Sequence, residues 1–283
     1  MLMNIQGNRV GCYFVSSASP LVQKRPILAT NPILCRMTFR GHESLSIMSW
    51  NVNRFENMVE IIHQIRQYNP NILLLQEIKN KASLKQLNQA LKGAYPYEVF
   101  LKNTVEPYVA ILSKRPPLEA PTSQRELVFG IKRDLMTYAI FKTPNQKKIA
   151  VINLYIKSLN GNAEANYQTQ QEEIQQVKEQ IKAIREKYPD LSYLVVAGDL
   201  NHPASQAEGQ TLRQSLIEEG LVSLVPSQAV THKNNRQESQ IDIFMVSNDM
   251  AVAQLVTPIK IGPIKASDHA PLVETFYFPV NDK

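Results

Sequence analysis

The sequence predicts a mixed α/β fold rich in antiparallel strands, and three observations carry that expectation. From Leu45 onward, short apolar runs of strand length alternate with stretches of helical period. Strand-like runs near 96–101, 108–113, 126–131, 134–142 and 148–156 then follow one another without helical punctuation, which favours antiparallel pairing among them. At 283 residues and 43% hydrophobic content, the chain is also long enough to bury one large core.

Each element has a local reason. Strand 45–51 leads to a helix near 56–68, in which Met58, Ile61, Ile62 and Ile65 fall at i, i+3, i+4 and i+7. The apolar run 71–76 reads as a buried strand, and a second helix near 82–91 places Leu84, Leu87 and Leu91 on one face. After the run of strands, a long helix over 164–187 carries the stripe Ile174, Val177, Ile181 and Ile184, and Pro189 ends it. Strand 192–198, a helix near 205–219, and strands near 240–246, 253–260 and 270–277 complete the pattern. Residues 1–43 show neither period, and Ser16, Ser17, Pro20, Pro26 and Pro32 interrupt any element there. The expected organisation is therefore an N-terminal extension over 1–43, disordered or a targeting segment, and one folded domain over 44–283.

Composition narrows the partners. No apolar run approaches the roughly 20 residues of a membrane-spanning helix, and nothing points to an obligate protein partner. The formal net charge is +6, but residues 1–42 hold Arg9, Lys24, Arg25, Arg36 and Arg40 and no acid, leaving 26 basic against 25 acidic residues in the remainder. Any affinity of the domain for phosphates must then come from local clusters. Candidates are Lys79, Lys81, Lys85 and the Lys132–Arg133 and Lys147–Lys148 pairs. Cys12 and Cys35 both fall in the extension, so the domain has no disulfide framework and no thiolate metal site. The extension lacks the charged start and apolar core of a secretory signal, while its freedom from acid and its scattered Arg and Ser are features of an organelle presequence. The cytoplasm is the expected address, with an organelle or secretion as the open alternatives.

The chemistry sits in short blocks where apolar runs end in polar side chains. Val195–Ala197 leads into Gly198, Asp199, Leu200 and Asn201; Ile47–Trp50 leads into Asn51; Ile72–Leu75 leads into Gln76 and Glu77; Ser267, Asp268 and His269 precede the last apolar run. In an extended strand, the residue two positions beyond Asp199 points to the same side, so Asn201 and Asp199 are expected to face one ligand. Hydrolysis of a phosphodiester needs a cation to neutralise the phosphorus oxygens, an activated water in line with the leaving oxygen, and help for that leaving group. Glu77 is an oxygen ligand of the kind Mg²⁺ prefers, and Asn51 can complete or orient the shell without adding charge.

Taken in order, with Asp242 inside Gln240–Phe244, these blocks resemble the endonuclease/exonuclease/phosphatase superfamily over residues 44–278. The resemblance implies a four-layer α-β-β-α sandwich of two mixed, largely antiparallel sheets whose catalytic strand ends share one rim. It also implies a Mg²⁺-dependent phosphoesterase, with Mn²⁺ as a substitute, in which Glu77 and Asn51 hold the metal and Asp268 approaches it. Asp199 then orients and activates the water, Asn201 donates to the attacked phosphate, and His269 contacts a phosphate oxygen or acts as a base with Asp242 fixing its tautomer. A reading in which Asp199 binds the metal and His269 alone is the base stays open at this level.

Within the family, Asn153-Leu154-Tyr155 is similar to the pattern of exonuclease III and abasic-site endonucleases, which makes Tyr155 a phosphate donor. The loop Thr231–Ser239 lacks the aromatic residues that abasic-site members use to embrace a flipped sugar, so abasic specificity is not expected. The expected activity is that of a nuclease with nucleic acid as substrate. The alternative is a phosphodiesterase or phosphatase for a lipid or inositol phosphate headgroup, and against a lipid stands the polar 231–240 loop, where an apolar one would be needed.

Overall fold

The computed structural model describes residues 2–3, 9–10, 41–101, 108–123, 127, 136–234, 237–252 and 258–279. The chain divides into two units, Met1–Phe39 and Arg40–Lys283. In the first, β1 (Leu2–Met3) and β2 (Arg9–Val10) pair antiparallel, a ladder too short for sequence periodicity to register. The second opens with β3 (His42–Asn51), three residues ahead of the apolar run at Leu45. The polar lead-in His42–Ser44 joins the strand because Tyr277, Phe278 and Pro279 continue opposite it.

Chain order follows the expected alternation. α1 (Met58–Tyr68) starts at Asn57, whose side chain accepts from Glu60 N, and stops at Asn69 in the left-handed region. β4 (Ile72–Ile78) is followed by α2 (Lys81–Ala90), capped by Asn80 accepting from Ser83 N. Next come β5 (Tyr97–Phe100), β6 (Tyr108–Ser113), β7 (Met136–Lys142) and β8 (Lys148–Tyr155). The long α3 (Ala163–Lys187) is capped by Asn162, and β9 (Leu191–Asp199) and α4 (Ala207–Ile217) follow. The chain continues through β10 (Leu221–Ser223), the two-residue strands β11 (His232–Lys233) and β12 (Glu238–Ser239), β13 (Asp242–Ser247), α5 (Asn248–Val252), β14 (Lys260–Ile261) and β15 (Leu272–Pro279).

Two expected strands change. That at 126–131 lies outside the described residues except for Leu127, and of 253–260 only the last three residues are described, with Lys260 alone extended. The short α5 and the β11–β12 hairpin were not anticipated, because they are brief and mostly polar and offer no apolar period.

Six strands, in the order β14-β15-β3-β4-β6-β5, form one sheet, and five, in the order β10-β13-β9-β8-β7, form the other. Each is antiparallel except for one central parallel pair, β3/β4 and β8/β9. The two-residue alternation of the strands divides their apolar side chains between two faces. Ile72, Leu74, Val195, Ala197, Phe244 and Phe276 belong to the core between the sheets. Leu73 and Leu75 pack with Ile61, Ile65, Leu84 and Leu87 of α1 and α2, while Leu194 and Val196 pack with Ile174, Val177, Ile181 and Leu212 of α3 and α4. The result is the α-β-β-α sandwich expected above. Among the described residues no helix is long and apolar enough to cross a membrane.

One polar tie crosses the sandwich interior. Asn153 of β8, fully buried, donates to the carbonyls of Leu75 and Ala110 at 3.0 and 2.9 Å and accepts from Gln76 Nε2 at 2.6 Å. Gln76 Nε2 also contacts Ser49 Oγ at 3.2 Å and Leu74 O at 3.1 Å. Buried amides with partners of this kind fix the register of one sheet over the other, because any slide would strand them without bonds.

Gly198 sets the approach of β8 to β9. Its φ is +143°, and a Cβ built there would lie 2.0 Å from Leu154 O. Gly198→Ala is therefore expected to lower the unfolding free energy by at least about 2 kcal/mol. Urea unfolding with a wild-type midpoint would show that the strands can separate at no cost.

Candidate active site

Parallel pairing aligns the C-terminal ends of β3 and β4, and likewise of β8 and β9, so one rim of the sandwich receives Asn51, Glu77, Tyr155 and Asp199. The antiparallel strands beside them begin at that rim and bring Asp242 at the start of β13 and His269 shortly before β15. Register places Asp199 opposite both Tyr155 and Asp242. All eight side chains singled out in the sequence thus meet at one place, although the backbone devices that bring them differ from strand alternation.

Glu77 shows the difference. Strict alternation after Leu73 and Leu75 would send it toward α1 and α2, but pairing with β6 shifts register between Leu75 and Ile78, and Glu77 takes φ +53°. Its carboxylate turns to the rim, where Oε1 accepts from Asn51 Nδ2 and Tyr155 Oη, both at 3.1 Å. Asn201 is a correction of mechanism: it lies beyond the end of β9 with φ +50°, so the two-residue alternation does not aim it. Its backbone N–H donates to Asp199 Oδ1 at 2.7 Å, and its side chain donates to Ile156 O at 2.9 Å.

Asn51 joins the two sheets. Its Nδ2 donates to Glu77 at 3.1 Å and to Asp199 Oδ2 at 3.0 Å, while Oδ1 accepts from Asn53 N at 3.0 Å. Behind it, His269 Nδ1 lies 3.0 Å from both Asp242 oxygens, and His269 Nε2 stands 3.8 Å from Asp199 Oδ2. Trp50, buried as its apolar setting suggested, also donates from Nε1 to His269 O at 2.9 Å. Ser267 Oγ donates to Asn51 O at 2.8 Å and accepts from His269 N at 3.2 Å, so the segment before β15 is tied to the end of β3.

Burial and charge oppose one another here. Asp199 is fully buried, and desolvation raises its carboxyl from 3.8 to about 7, with His269 pulling the other way. Burial also disfavours an imidazolium at His269, yet the carboxylates of Asp242 and Asp199 outweigh it and lift the ring to about 10. The balance holds His269 as a cation between Asp242 and Asp199, while burial keeps Asp199 readily protonated. Burial works against the charge of Asp268 too, but His232 and His269 hold its carboxyl below the ordinary range.

These groups floor a cavity of about 560 Å³ lined by Glu77, Tyr155, Asn201, Asp268 and His269. Asn51, Asp199 and Asp242 lie beneath its surface, bonded to that lining. Sequence reading missed two contributors, Arg54 and Gln170, and placed a third, His232, in a loop near the rim without giving it a role. Arg54 lines the cavity; His232 does also, on β11, with its ring 4.7 Å from that of His269 and Nε2 3.8 Å from Asp268. Gln170 of α3, fully buried, donates to Lys157 O at 2.7 Å and accepts from His202 Nδ1 at 2.8 Å, which braces the loops after β8 and β9. Gln170 continues the apolar stripe of α3 one turn ahead of Ile174, and a polar side chain on that face was the one available signal. None of the basic candidates Lys79, Lys81, Lys85, Lys147 or Lys148 lines the cavity, and Lys132 and Arg133 lie outside the described residues.

Among the described residues, two groups of side chains can hold a cation by composition: His232, Asp268 and His269, and Asp199, Asp242 and His269. In the second group the imidazolium already takes the central position between the carboxylates, so a metal there would have to displace it.

Over residues 48–269 the chain matches the Endonuclease/Exonuclease/phosphatase family. No curated protein matches it. Among solved structures it is similar to a 3'-5' exonuclease from Neisseria meningitidis, at 19% identity and TM-score 0.64, covering 82% of this chain and 99% of that one. It is similar to an AP endonuclease from Archaeoglobus fulgidus, at 20% identity and TM-score 0.60, covering 82% and 99%. It is likewise similar to the beta toxin of Staphylococcus aureus, at 17% identity and TM-score 0.61, covering 81% and 98%. Likenesses at these identities show a common fold.

The charge balance has a consequence for stability. Because His269 is raised from 6.5 to about 10, its contribution is complete below 6.5 and is lost as pH climbs toward 10. In protein stripped of metal with a chelator, the melting temperature of wild type relative to His269→Gln is expected to fall across that interval. A difference independent of pH would show that the imidazole is not held charged by its neighbours.

Proposed function

The chain belongs to the Endonuclease/Exonuclease/phosphatase family, and from that premise we propose that this phosphoester hydrolase is a Mg²⁺-dependent nuclease of DNA or RNA. The observation that carries the reading is a buried carboxylate, Asp199, facing an imidazole backed by Asp242 across 3.8 Å at the floor of a polar cavity.

The donors fit the metal. Glu77 and Asp268 offer carboxylate oxygens at the cavity surface, the hard ligands Mg²⁺ prefers, and Mn²⁺ accepts the same set. Asn51 Oδ1 keeps a second lone pair beside the bond it takes from Asn53 N. When bound, the cation neutralises charge on the phosphate oxygens.

The other steps belong to side chains. Asp199, with its carboxyl raised to about 7, is a stronger base than an ordinary aspartate and accepts the proton of the attacking water. His269, protonated and oriented by Asp242, turns Nε2–H toward a phosphate oxygen. The rival assignment, with His269 as the base, is disfavoured because an imidazole raised to about 10 has no free lone pair at neutral pH. Asn201 uses one amide hydrogen on Ile156 O and has the second for the phosphate. Tyr155 donates to Glu77, so its effect reaches the substrate through the carboxylate that holds the metal.

Amides and hydroxyls dominate the lining: Asn53, Ser158, Asn160, Asn201, Gln206 and Ser239 among them. Such walls suit a sugar–phosphate chain. They also suit an inositol phosphate, which is the second reading. Two of the similar structures, an exonuclease and an AP endonuclease, support the nuclease.

Purified protein offered plasmid DNA, RNA, sphingomyelin and inositol phosphates is expected to cleave nucleic acid with Mg²⁺ and to stop in EDTA. Turnover of a headgroup substrate with none of nucleic acid overturns the nuclease; turnover in EDTA overturns the mechanism. Asp199→Asn and His269→Ala are each expected to lower kcat by at least roughly 10²-fold without unfolding the protein. Near-normal rates in either variant would move the centre elsewhere.

A further inference from the structure

Between β3 and α1 the backbone turns the wrong way for its residues. Asn53, Arg54 and Phe55 have φ of 40, 55 and 62°, three consecutive left-handed residues with no glycine among them. Each crowds its Cβ against its own peptide, a conformation that arginine and phenylalanine rarely adopt. The turn is fastened at both ends. Asn53 N donates to Asn51 Oδ1 at 3.0 Å, Phe55 N to Val52 O at 2.8 Å, and the Phe55 ring is buried in the core under α1 and α2.

What this arrangement achieves is the placement of Arg54. Its side chain lines the cavity beside Glu77, Tyr155 and His269, and it is the sole Lys or Arg among the described lining residues. The same lining carries Glu56, Glu77 and Asp268, so without Arg54 the groups able to carry a positive charge there would be the two histidines. Arg54 is exposed, and no ion pair to a described residue occupies its guanidinium. A glycine would make the turn without strain. The strain is therefore tied to the side chain, and non-glycine strain kept beside a site points to a use for it.

We propose that Arg54 forms a phosphate subsite, its guanidinium taking a second phosphate group of the substrate next to the one being hydrolysed. The proposal rests on the reading of the cavity as the hydrolytic site and adds a preference for substrates carrying neighbouring phosphates over isolated diesters. Arginine suits the role because its planar fork pairs two phosphate oxygens at once.

The test uses full-length protein and Arg54→Gly and Arg54→Lys. Substrates are a single-stranded oligonucleotide and bis(p-nitrophenyl) phosphate, which has no second phosphate. Arg54→Gly is expected to melt at a higher temperature, since strain is relieved, and to raise KM for the oligonucleotide about 10-fold, against under about 3-fold for the minimal diester. The salt dependence of oligonucleotide KM should lose about one unit of slope in Arg54→Gly and keep it in Arg54→Lys, with KM in between. Equal KM and slope for wild type and Arg54→Gly overturn the subsite while leaving the nuclease intact. If nucleic acid is not cleaved but inositol phosphates are, the nuclease reading falls. Selectivity for a bisphosphate over a monophosphate then decides the subsite: its loss in Arg54→Gly supports it, and its retention overturns it.

Discussion

A single carboxamide, that of Asn51, holds carboxylates from both sheets at one point. Glu77 belongs to the six-stranded sheet and Asp199 to the five-stranded one, and each accepts from Asn51 Nδ2. Because Oδ1 is fixed by Asn53 N, the amide cannot turn over without losing every bond it makes. Hydrogen bonds to charged groups are worth about 1.5–3 kcal/mol each, enough to offset part of the repulsion between two negative groups brought so near. The same fixed oxygen anchors the left-handed turn that carries Arg54. Moving Asn51 would disturb Asp199, Glu77 and that turn together.

The sandwich bears what the rim costs. Glu77, Asn201, Asn53 and Arg54, four of the eight described non-glycine residues with positive φ, line the cavity. Asp199, Asp242 and His269 are buried there as a charged array. Partly satisfied charge in an interior is costly, and each left-handed residue costs about 1 kcal/mol or more. The three apolar clusters between and outside the sheets, and the Asn153–Gln76 tie a few residues below the rim, supply the rigidity against which these costs are set. Polar groups that would drift in a looser scaffold are held within hydrogen-bond distance of one another.

Much of this was legible in the sequence because alternation and apolar runs report burial directly. The central strands and the strand ends bearing Asn51, Glu77, Asp199 and Asp242 follow from such patterns, whereas the four layers came from the family resemblance of the blocks. The way each side chain is aimed does not. Glu77 leaves its alternation through a register shift, and Asn201 turns back through a bond to Asp199; neither is marked by glycine or proline. Arg54 hides for the same reason, since a left-handed turn without glycine has no compositional sign. His232 sits on a two-residue strand whose partner and neighbour, Ser239 and His269, are 7 and 37 residues away, as their numbers show, and only folding makes them adjacent. Trp50 was legible as core, but its bond to the backbone of His269 was not.

The claim that one amide organises both carboxylates is tested most directly by calorimetric titration of Mn²⁺ or Mg²⁺ into wild type and Asn51→Ala. Circular dichroism of the same samples would confirm that both are folded. The account expects divalent affinity to fall by about 10- to 100-fold, the range for losing a group that orients metal ligands. Affinity within twofold of wild type in a folded Asn51→Ala protein would contradict it, because Glu77 and Asp199 would then be holding their places unaided.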